Sequence, residues 1–174
     1  SMQSLPMDGE SLAVLAEYGL GEARLSGCHL RRYEAGEAMA RQNEAMDALL
    51  FVRSGRAKVC INARNGRHLI ICYYISDGVL GDVELLTEAQ AMDTVTALSQ
   101  VDCVAVPMER NREVLLGCLP FVLRMGQEVS GKLKYSSHAH TVSALYTSEE
   151  RLCSYLLMAE RDGIVREYLT EVAQ

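Results

Sequence analysis

The sequence contains no run of 18 apolar residues, and its N-terminus has no charged segment followed by an apolar one. A helix needs about 20 apolar residues to cross a bilayer, and an export signal needs both of those segments in order. These two absences exclude a membrane-spanning helix and an export signal. We therefore expect a cytoplasmic protein without a membrane partner.

The sequence also has no C-x-x-C pair, although six cysteines are present: Cys28, Cys60, Cys72, Cys103, Cys118 and Cys153. An iron–sulfur cluster requires about four thiolates at one point, usually with some of them closely spaced. Scattered cysteines without a secretory signal indicate free thiols, most of them buried as small hydrophobic side chains. We expect neither a disulfide framework nor an iron–sulfur cluster, while a thiol-based redox response of Cys28 or Cys118 stays open.

Ligand spacing for other metals is missing too. The four histidines, at positions 29, 68, 138 and 140, show no fixed interval between them. A lone histidine on a strand is usually structural. The sequence therefore supports neither haem nor a metal site.

A surplus of basic residues is also missing, since 17 lysines and arginines stand against 23 acidic residues and the net charge is −6. Contact with DNA phosphates needs a concentrated positive face. This stretch of chain is therefore not expected to contact nucleic acid by itself.

What the sequence does contain is a series of short strands, separated by turn residues, from Cys28 to Pro107. Strands are predicted near residues 30–33, 49–52, 57–63, 69–75, 93–98 and 102–107. Asn65-Gly66, between two apolar runs, predicts a hairpin with a two-residue type I′ turn. Strands at this spacing indicate a fold that is mostly β with α, a jelly-roll barrel, with a short helix over 10–18 packed outside it.

One segment between the strands has possible binding chemistry. Gly81 is followed by Asp82 and Val83 and then by a single predicted helical turn. A glycine that opens a helix leaves backbone N–H groups available to hold an anion such as a phosphate. The alternative is a capped turn that only connects two strands, and both interpretations stay open.

After the strands, one uninterrupted helix is predicted from about Arg112 to Ala144. A stripe at three- and four-residue intervals runs along it: Val122, Met125, Val129, Leu133, Ser136 and His140. The stripe can pack on its own barrel, but in an extended connector it stays half exposed until a two-fold mate buries it. A homodimer interface is therefore predicted there. His140 could make that interface sensitive to pH, or could simply be solvated.

The chain divides into four predicted segments: an N-terminal helix or tail over 1–27, the sensor barrel over 28–110, the dimerisation helix over 111–145 and a last segment over 146–174. In the last segment, Ser148 begins a capped helix that stops at Gly163, and Thr170 is the predicted N-cap of another helix. The sequence ends one turn later, before any recognition helix. We expect a C-terminal domain that was cut short by design or by proteolysis.

Four motifs follow one another in this order: Tyr33 to Glu37, Leu50 to Val59, the Asn65-Gly66 hairpin and Gly81 to Leu86. Together they resemble the sensor domain of the Crp/Fnr superfamily of bacterial transcription regulators. Downstream, the segment from Glu150 to Leu157 resembles the family's first winged-helix segment, and Tyr168 to Gln174 resembles the start of its helix-turn-helix. The resemblance implies a cyclic-nucleotide-binding-like jelly roll, a dimerisation helix and the start of a winged-helix DNA-binding domain.

The resemblance also implies where a ligand would bind. In members that bind cyclic nucleotides, an arginine and a small hydroxyl residue hold the phosphate about ten residues after the glycine–acid turn. The matching residues here are Met92, which donates no hydrogen bond to phosphate, and Asp93, which would repel it by up to about 4 kcal/mol at 4 Å. Asp82 is also one methylene shorter than the family's usual glutamate. We therefore expect no tight binding of cyclic AMP or cyclic GMP.

The full candidate site consists of Gly81, Asp82, Val83, Met92, Asp93, Thr94, Ser136 and Ser137. The two serines match hydroxyls that touch the purine in members that bind cyclic AMP. They could equally be ordinary small residues at a helix contact.

For function, the resemblance implies a homodimeric regulator that couples an effector in the barrel to DNA binding, without catalysis. The full-length protein would bind a two-fold operator, and RNA polymerase is a further candidate partner. The main alternative is a stand-alone module of the same fold that regulates a protein partner. An enzyme of the cupin type ranks last, because His68 alone does not supply a metal-binding cluster.

Overall fold

The protein's computed structural model describes residues 1–64, 68–145 and 168–169, with side chains described for residues 1–61 and 72–134. The strands in these ranges are β1 (Gln3–Leu5), β2 (His29–Tyr33), β3 (Ala38–Ala40), β4 (Ala48–Ser54), β5 (Ala57–Arg64), β6 (His68–Ile75), β7 (Gly78–Leu80), β8 (Thr94–Ala97), β9 (Val101–Pro107) and β10 (Tyr168–Leu169). The helices are α1 (Gly9–Glu17), α2 (Asp82–Thr87), α3 (Met108–Gly117) and α4 (Leu119–Leu145).

The strands form two antiparallel sheets, with the orders β1-β2-β9-β4-β7 and β10-β6-β5-β8-β3. β5 and β6 pair along their whole length, from Ala57 opposite Ile75 to Arg64 opposite His68. The predicted hairpin is thus confirmed as a strand pairing, while the type of its turn, over residues 65–67, lies outside the described residues. The β-rich jelly roll with helices after it agrees with the sequence prediction.

The first sheet is buried on both faces, and β4 shows why its sequence is continuously apolar. Leu50 and Val52 face the core between the two sheets, whereas Leu49 and Phe51 face a second core under the helices, which we call the outer core. Because successive side chains of a strand point to opposite faces, a strand covered on both sides needs apolar residues at every position. All four side chains are at most 7% exposed.

The helices cover the outer face of the first sheet. Leu15 of α1, Leu115 of α3 and Phe121 of α4 pack together against that face. Asn111 fixes α3 to the segment before β2: its side-chain amide donates to the carbonyls of Ser26 and Pro107, and its oxygen accepts the N–H of Ser26. The helices are therefore held to the barrel by hydrogen bonds as well as by apolar packing.

The single long helix predicted over residues 112–144 is wrong at its start. Two helices, α3 and α4, meet at Cys118, whose backbone is extended with φ −92° and ψ 95°. Pro120 lies in the first turn of α4, where its missing N–H costs nothing, but that same proline prevents α3 from continuing through it. The break turns α4 into a separate helix.

The expectation of free thiols throughout is also wrong, because Cys60 and Cys72 form a disulfide between β5 and β6. The two residues are direct partners in the strand register, which the linear sequence does not show. Cys103 behaves as expected: it is fully buried, and burial raises the pKa of its thiol to about 12, so it stays protonated. Cys28 and Cys118 are half-buried free thiols.

Four short strands, β1, β3, β7 and β10, were not predicted. Each has two or three residues, which is too short for a periodic pattern to be recognised. β1 pairs with β2 and so joins the predicted N-terminal tail to the first sheet. In the described part of the chain, no helix is both long and apolar enough to cross a membrane.

Candidate functional site

A cavity of about 530 Å³ lies on the side of the barrel where α2 and α4 meet the sheets. Its apolar lining includes Ala40, Met46, Val52, Val59, Ala91 and Val95. Its polar lining includes residues of the α2 turn, residues before β8 and residues of α4. A concave site with an apolar wall and a few convergent polar groups is the usual form of a small-molecule site.

The α2 turn forms because Gly81 adopts the left-handed region, with φ 96° and ψ 4°. This conformation places Asp82 at the first helical position, where it is 2% exposed. The helix has only six residues, and two of them, Asp82 and Glu84, put negative charge in its first turn. The predicted glycine–acid turn is confirmed, and its acidic first turn opposes the binding of an anion.

Asp82 is held by a residue that the sequence analysis did not select. Nζ of Lys132, on α4, donates to both carboxylate oxygens of Asp82 over 2.7 Å and to the carbonyl of Val79 over 3.2 Å. This contact ties the long helix to the α2 turn. It also places a positive charge beside the cavity at Asp82.

Met92 and Asp93, the two residues that the resemblance matches to a phosphate-holding pair, both line the cavity. Met92 is 57% exposed, and its backbone N–H donates to Glu84. Burial raises the pKa of the Asp93 carboxyl to about 6, with further upward contributions from Glu84 and Asp82 and a downward one from Lys132. These residues offer a phosphate two carboxyl groups and a thioether in place of a guanidinium.

Val83 also lines the cavity, whereas Thr94 is not among the residues that line it. The hydroxyl of Thr94 accepts a hydrogen bond from the backbone N–H of Gln42 over 3.1 Å. Ser136 and Ser137 lie in α4, but the structure describes only their backbone and not their side chains. The structure thus brings Gly81, Asp82, Val83, Met92 and Asp93 to one cavity.

Two arginines in the cavity lining are paired with carboxylates. Arg53 donates to both oxygens of Asp8, over 2.8 and 2.9 Å. Arg124 lies 3.4 Å from Glu128, and its guanidinium sits 5.1 Å from the centre of the Tyr18 ring. With Lys132 on Asp82, all three cations of the lining are engaged by acidic side chains.

The predicted stripe of α4 divides between two environments. Met125 is fully buried in the outer core and Val122 packs against that core, so these two positions face the chain's own barrel. Val129 is half-buried, and Leu133 is 64% exposed. The assignment of Met125 to an intersubunit contact is thus corrected, because the barrel already covers it. The side chains of Ser136 and His140 lie outside the described residues.

The functional residues that the sequence analysis missed are Arg124, Glu128 and Lys132 of α4. They recur at intervals of four, which places them on one face of the helix. That face is the one turned towards the cavity. A search for charged residues at helical spacing, besides apolar ones, would have found them. In the described part of the chain there is no cluster of potential metal ligands.

Comparisons with known proteins identify related sequences and a related fold. The cyclic nucleotide-binding domain family matches residues 30–117, half of the chain. Regulatory protein YeiL of Escherichia coli O157:H7 is 22% identical over 145 residues, which are 83% of this chain and 66% of YeiL. Neuropathy target esterase sws of Drosophila grimshawi is 34% identical over 74 residues, 42% of this chain and 5% of that protein. The chain thus spans slightly less than two thirds of YeiL and a small part of sws.

The fold is also similar to that of a solved structure. Thermus thermophilus Catabolite Activator Protein aligns with a TM-score of 0.56 at 15% sequence identity. The alignment covers 96% of this chain and 92% of that one. An identity this low shows the fold alone. The family itself is shown by the match to residues 30–117: the chain belongs to the cyclic nucleotide-binding domain family.

Proposed function

We propose that the chain is the sensor and dimerisation part of a DNA-binding transcription regulator of the Crp/Fnr type. In this proposal, an effector other than a cyclic nucleotide enters the cavity and shifts α4, and no chemical reaction takes place. The proposal is supported by relatedness to regulatory protein YeiL and by a fold shared with a catabolite activator protein.

The observation that carries the proposal is that the barrel and α4 share one cavity. Asp82 and Asp93 belong to the barrel, whereas Glu128 and Lys132 belong to α4, and all four line it. A ligand with different affinities for two positions of α4 shifts the equilibrium between them. The cavity thus has the arrangement that a sensor needs.

An exposed face of α4 supports dimerisation. Leu119, Leu123 and Leu133 are 66%, 60% and 64% exposed, and Gly126 and Ser130 lie between them. These five residues, which we call the outer stripe, follow one another at intervals of four, three, four and three, the spacing of a coiled-coil seam. The outer stripe contains no charged residue, and its two small residues permit close approach of a second helix.

The charge of the cavity lining disfavours anionic ligands such as cyclic nucleotides. The cavity lining contains six carboxylates, those of Glu17, Asp77, Asp82, Glu84, Asp93 and Glu128, against three cations. A cyclic phosphate would enter a net negative site in which every lining cation is already paired. The proposed effector is therefore not an anionic nucleotide.

A second candidate function is a module that regulates a partner protein. It is favoured by the identity of 34% to a short segment of neuropathy target esterase sws, which covers only 5% of that protein. In this alternative, the exposed outer stripe would bind a different protein instead of a second copy.

Selection of DNA by the full-length protein distinguishes the two candidates. The protein is incubated with a pool of random duplexes, and the retained DNA is sequenced. We expect a two-fold symmetric sequence, with weaker retention by Leu123→Glu, which places a charge in the outer stripe, and unchanged retention by Leu12→Glu, which changes an equally exposed leucine of α1. A full-length protein that selects no sequence and purifies with a different protein would contradict the regulator and favour the module.

A further inference from the structure

The contact between Lys132 and Asp82 has the geometry of a complete ammonium site. An ammonium group has three N–H donors. Around Nζ of Lys132 stand three acceptors: the two carboxylate oxygens of Asp82, both at 2.7 Å, and the carbonyl of Val79 at 3.2 Å. Every donor of the group therefore has an acceptor supplied by the barrel.

The two partners of this contact differ in burial. The side chain of Asp82 is 2% exposed, whereas that of Lys132 is 41% exposed. The carboxylate is thus a fixed part of the α2 turn, while the ammonium reaches it from α4 on a flexible four-carbon stem. A partner that is held on a flexible stem and is open to solvent can be replaced by another ammonium group.

The surroundings of the site fit a positively charged group. Glu84 and Asp93 line the cavity beside Asp82, and the apolar wall lies beyond them. Burial raises the pKa of Asp93, and the neighbouring carboxylates of Glu84 and Asp82 raise it further. A ligand with an ammonium group and a hydrocarbon body would satisfy the carboxylates and fill the apolar space.

We propose that Lys132 is a built-in occupant of an ammonium site, and that the effector is an amphipathic primary amine that takes its place on Asp82 and releases α4 from the α2 turn. The part about release rests on the proposed function, since it identifies the helix that the effector moves. The class of ligand rests on the site alone. Lys132 then acts as an autoinhibitory group that holds α4 until the amine enters.

Chemical rescue tests the proposal on the 174-residue chain. Lys132→Met removes the ammonium, keeps much of the stem and leaves a buried carboxylate without its cation. We expect this variant to have a lowered melting temperature that hexylammonium restores, and hexanol and hexanoate do not. We also expect Lys132→Met to bind hexylammonium up to about fivefold more tightly than the wild type. In the wild type, the ligand must displace the Lys132 ammonium, and a partly exposed ion pair of this kind weakens binding by at most about that factor.

Two further variants serve as controls. Lys134→Met changes an exposed lysine of α4 two residues away, and it should behave as the wild type. Lys132→Met with Asp82→Asn removes both charges, and it should no longer respond to hexylammonium. A rescue by hexanol equal to that by hexylammonium, or an equal response of the double variant, would overturn the proposal.

The wild type provides a test that does not depend on the folding of any variant. Hexylammonium should bind to it and increase amide hydrogen exchange in α4, whereas hexanol and hexanoate should not. Binding without increased exchange in α4 would overturn the release of the helix, and absence of binding would overturn the ammonium site. Neither outcome decides whether the full-length protein selects DNA, so failure here and failure of the proposed function are distinguishable.

Discussion

The backbone N–H of Met92 donates a hydrogen bond to Oε1 of Glu84 over 3.3 Å. A carboxylate thus lies beside the position at which the related cyclic-nucleotide-binding proteins are expected to carry a phosphate-binding arginine. If Met92 matches that arginine, as the resemblance implies, the chain has a thioether in place of the cation and holds an anion next to it.

We predict that the wild-type chain shows no binding of cyclic AMP or cyclic GMP in isothermal titration calorimetry. A carboxylate at 4 Å from a phosphate costs up to about 4 kcal/mol at an effective dielectric constant of about 20. Met92→Arg combined with Asp93→Ser should give measurable affinity for cyclic AMP, because it adds a donor fork and removes a charge. Met2→Arg, which places the same cation on another exposed methionine, should not. Micromolar binding by the wild type would contradict this prediction.

Asp93 should make the protein less stable as the pH rises. Its pKa in the folded chain is about 6, above the ordinary value of 3.8, so the folded state holds the proton more tightly than the unfolded state. Stability from this group is then complete below about pH 4 and is lost as the pH rises to about 6.

Asp93→Asn should therefore raise the free energy of unfolding at pH 7 by about 1 to 2 kcal/mol, since a two-unit shift gives at most about 3 kcal/mol before screening by solvent. Urea denaturation of variant and wild type at about pH 4 and pH 7 measures the difference. Asp77→Asn, at an exposed position in the same cavity lining, is the control. A gain that is equal at both pH values would rule out titration of Asp93 as its cause.

The outer stripe of α4 should hold a dimer together. Leu123→Glu places a charge in the middle of the stripe, where burial of an unpaired carboxylate is strongly unfavourable. We expect light scattering after size-exclusion chromatography to show a dimer for the wild type and a monomer for this variant. Leu12→Glu, at 61% exposure on α1, should stay dimeric. A monomeric wild type would show that the stripe does not pair in this chain.

The disulfide between Cys60 and Cys72 should stabilise the β5–β6 hairpin. The two cysteines are 12 residues apart, and closure of a loop of that size contributes up to about 3 kcal/mol through the entropy of the unfolded chain. Cys60→Ser should lower the free energy of unfolding, and reductant should lower that of the wild type but not that of the variant. Cys28→Ser, at a half-buried free thiol, is the matched control. Equal stability of the wild type with and without reductant would contradict the prediction.

Gly55 should tolerate no side chain. It adopts φ 91°, and a Cβ atom there would clash with the carbonyl oxygen of Gln100 and lie 2.8 Å from Cα of Val101. Gly55→Ala is expected to lower the free energy of unfolding by more than about 2 kcal/mol, because left-handed strain and a backbone clash add together. Gly9→Ala, where no atom lies within 4 Å, should change the melting temperature little. Equal melting temperatures for the two variants would refute the expected clash.

Strand positions were predictable where residues next to one another in the chain decide them. The runs over β4, β6 and β9 are mostly apolar, β5 alternates between apolar and mostly polar residues, and turn residues bound these strands, so their period and length were visible. Pairs that are distant in sequence were not predictable. Cys60 and Cys72 meet only because β5 and β6 pair in one particular register, and Lys132 meets Asp82 only because α4 packs across α2.

The apolar stripe that was predicted on α4 shows the same division between local pattern and packing. The sequence correctly placed apolar residues at helical intervals on α4, but α4 has two apolar faces, and periodicity does not say which one the barrel covers. Packing of Phe121 and Met125 into the outer core decided that question and left Leu119 and Leu123 exposed.

By itself, the sequence determined the β-rich class of the fold and the glycine–acid turn at Gly81, and it led us to expect no phosphate anchor at Met92. Each of these depends on residue type and on neighbours within a few positions. The tertiary structure alone decided that Lys132 binds Asp82 and that the cations of the cavity lining are paired with carboxylates. It also decided that the outer stripe of α4 is exposed. Those contacts join residues far apart in the chain, and the energy that selects them arises only when the sheets and helices pack together.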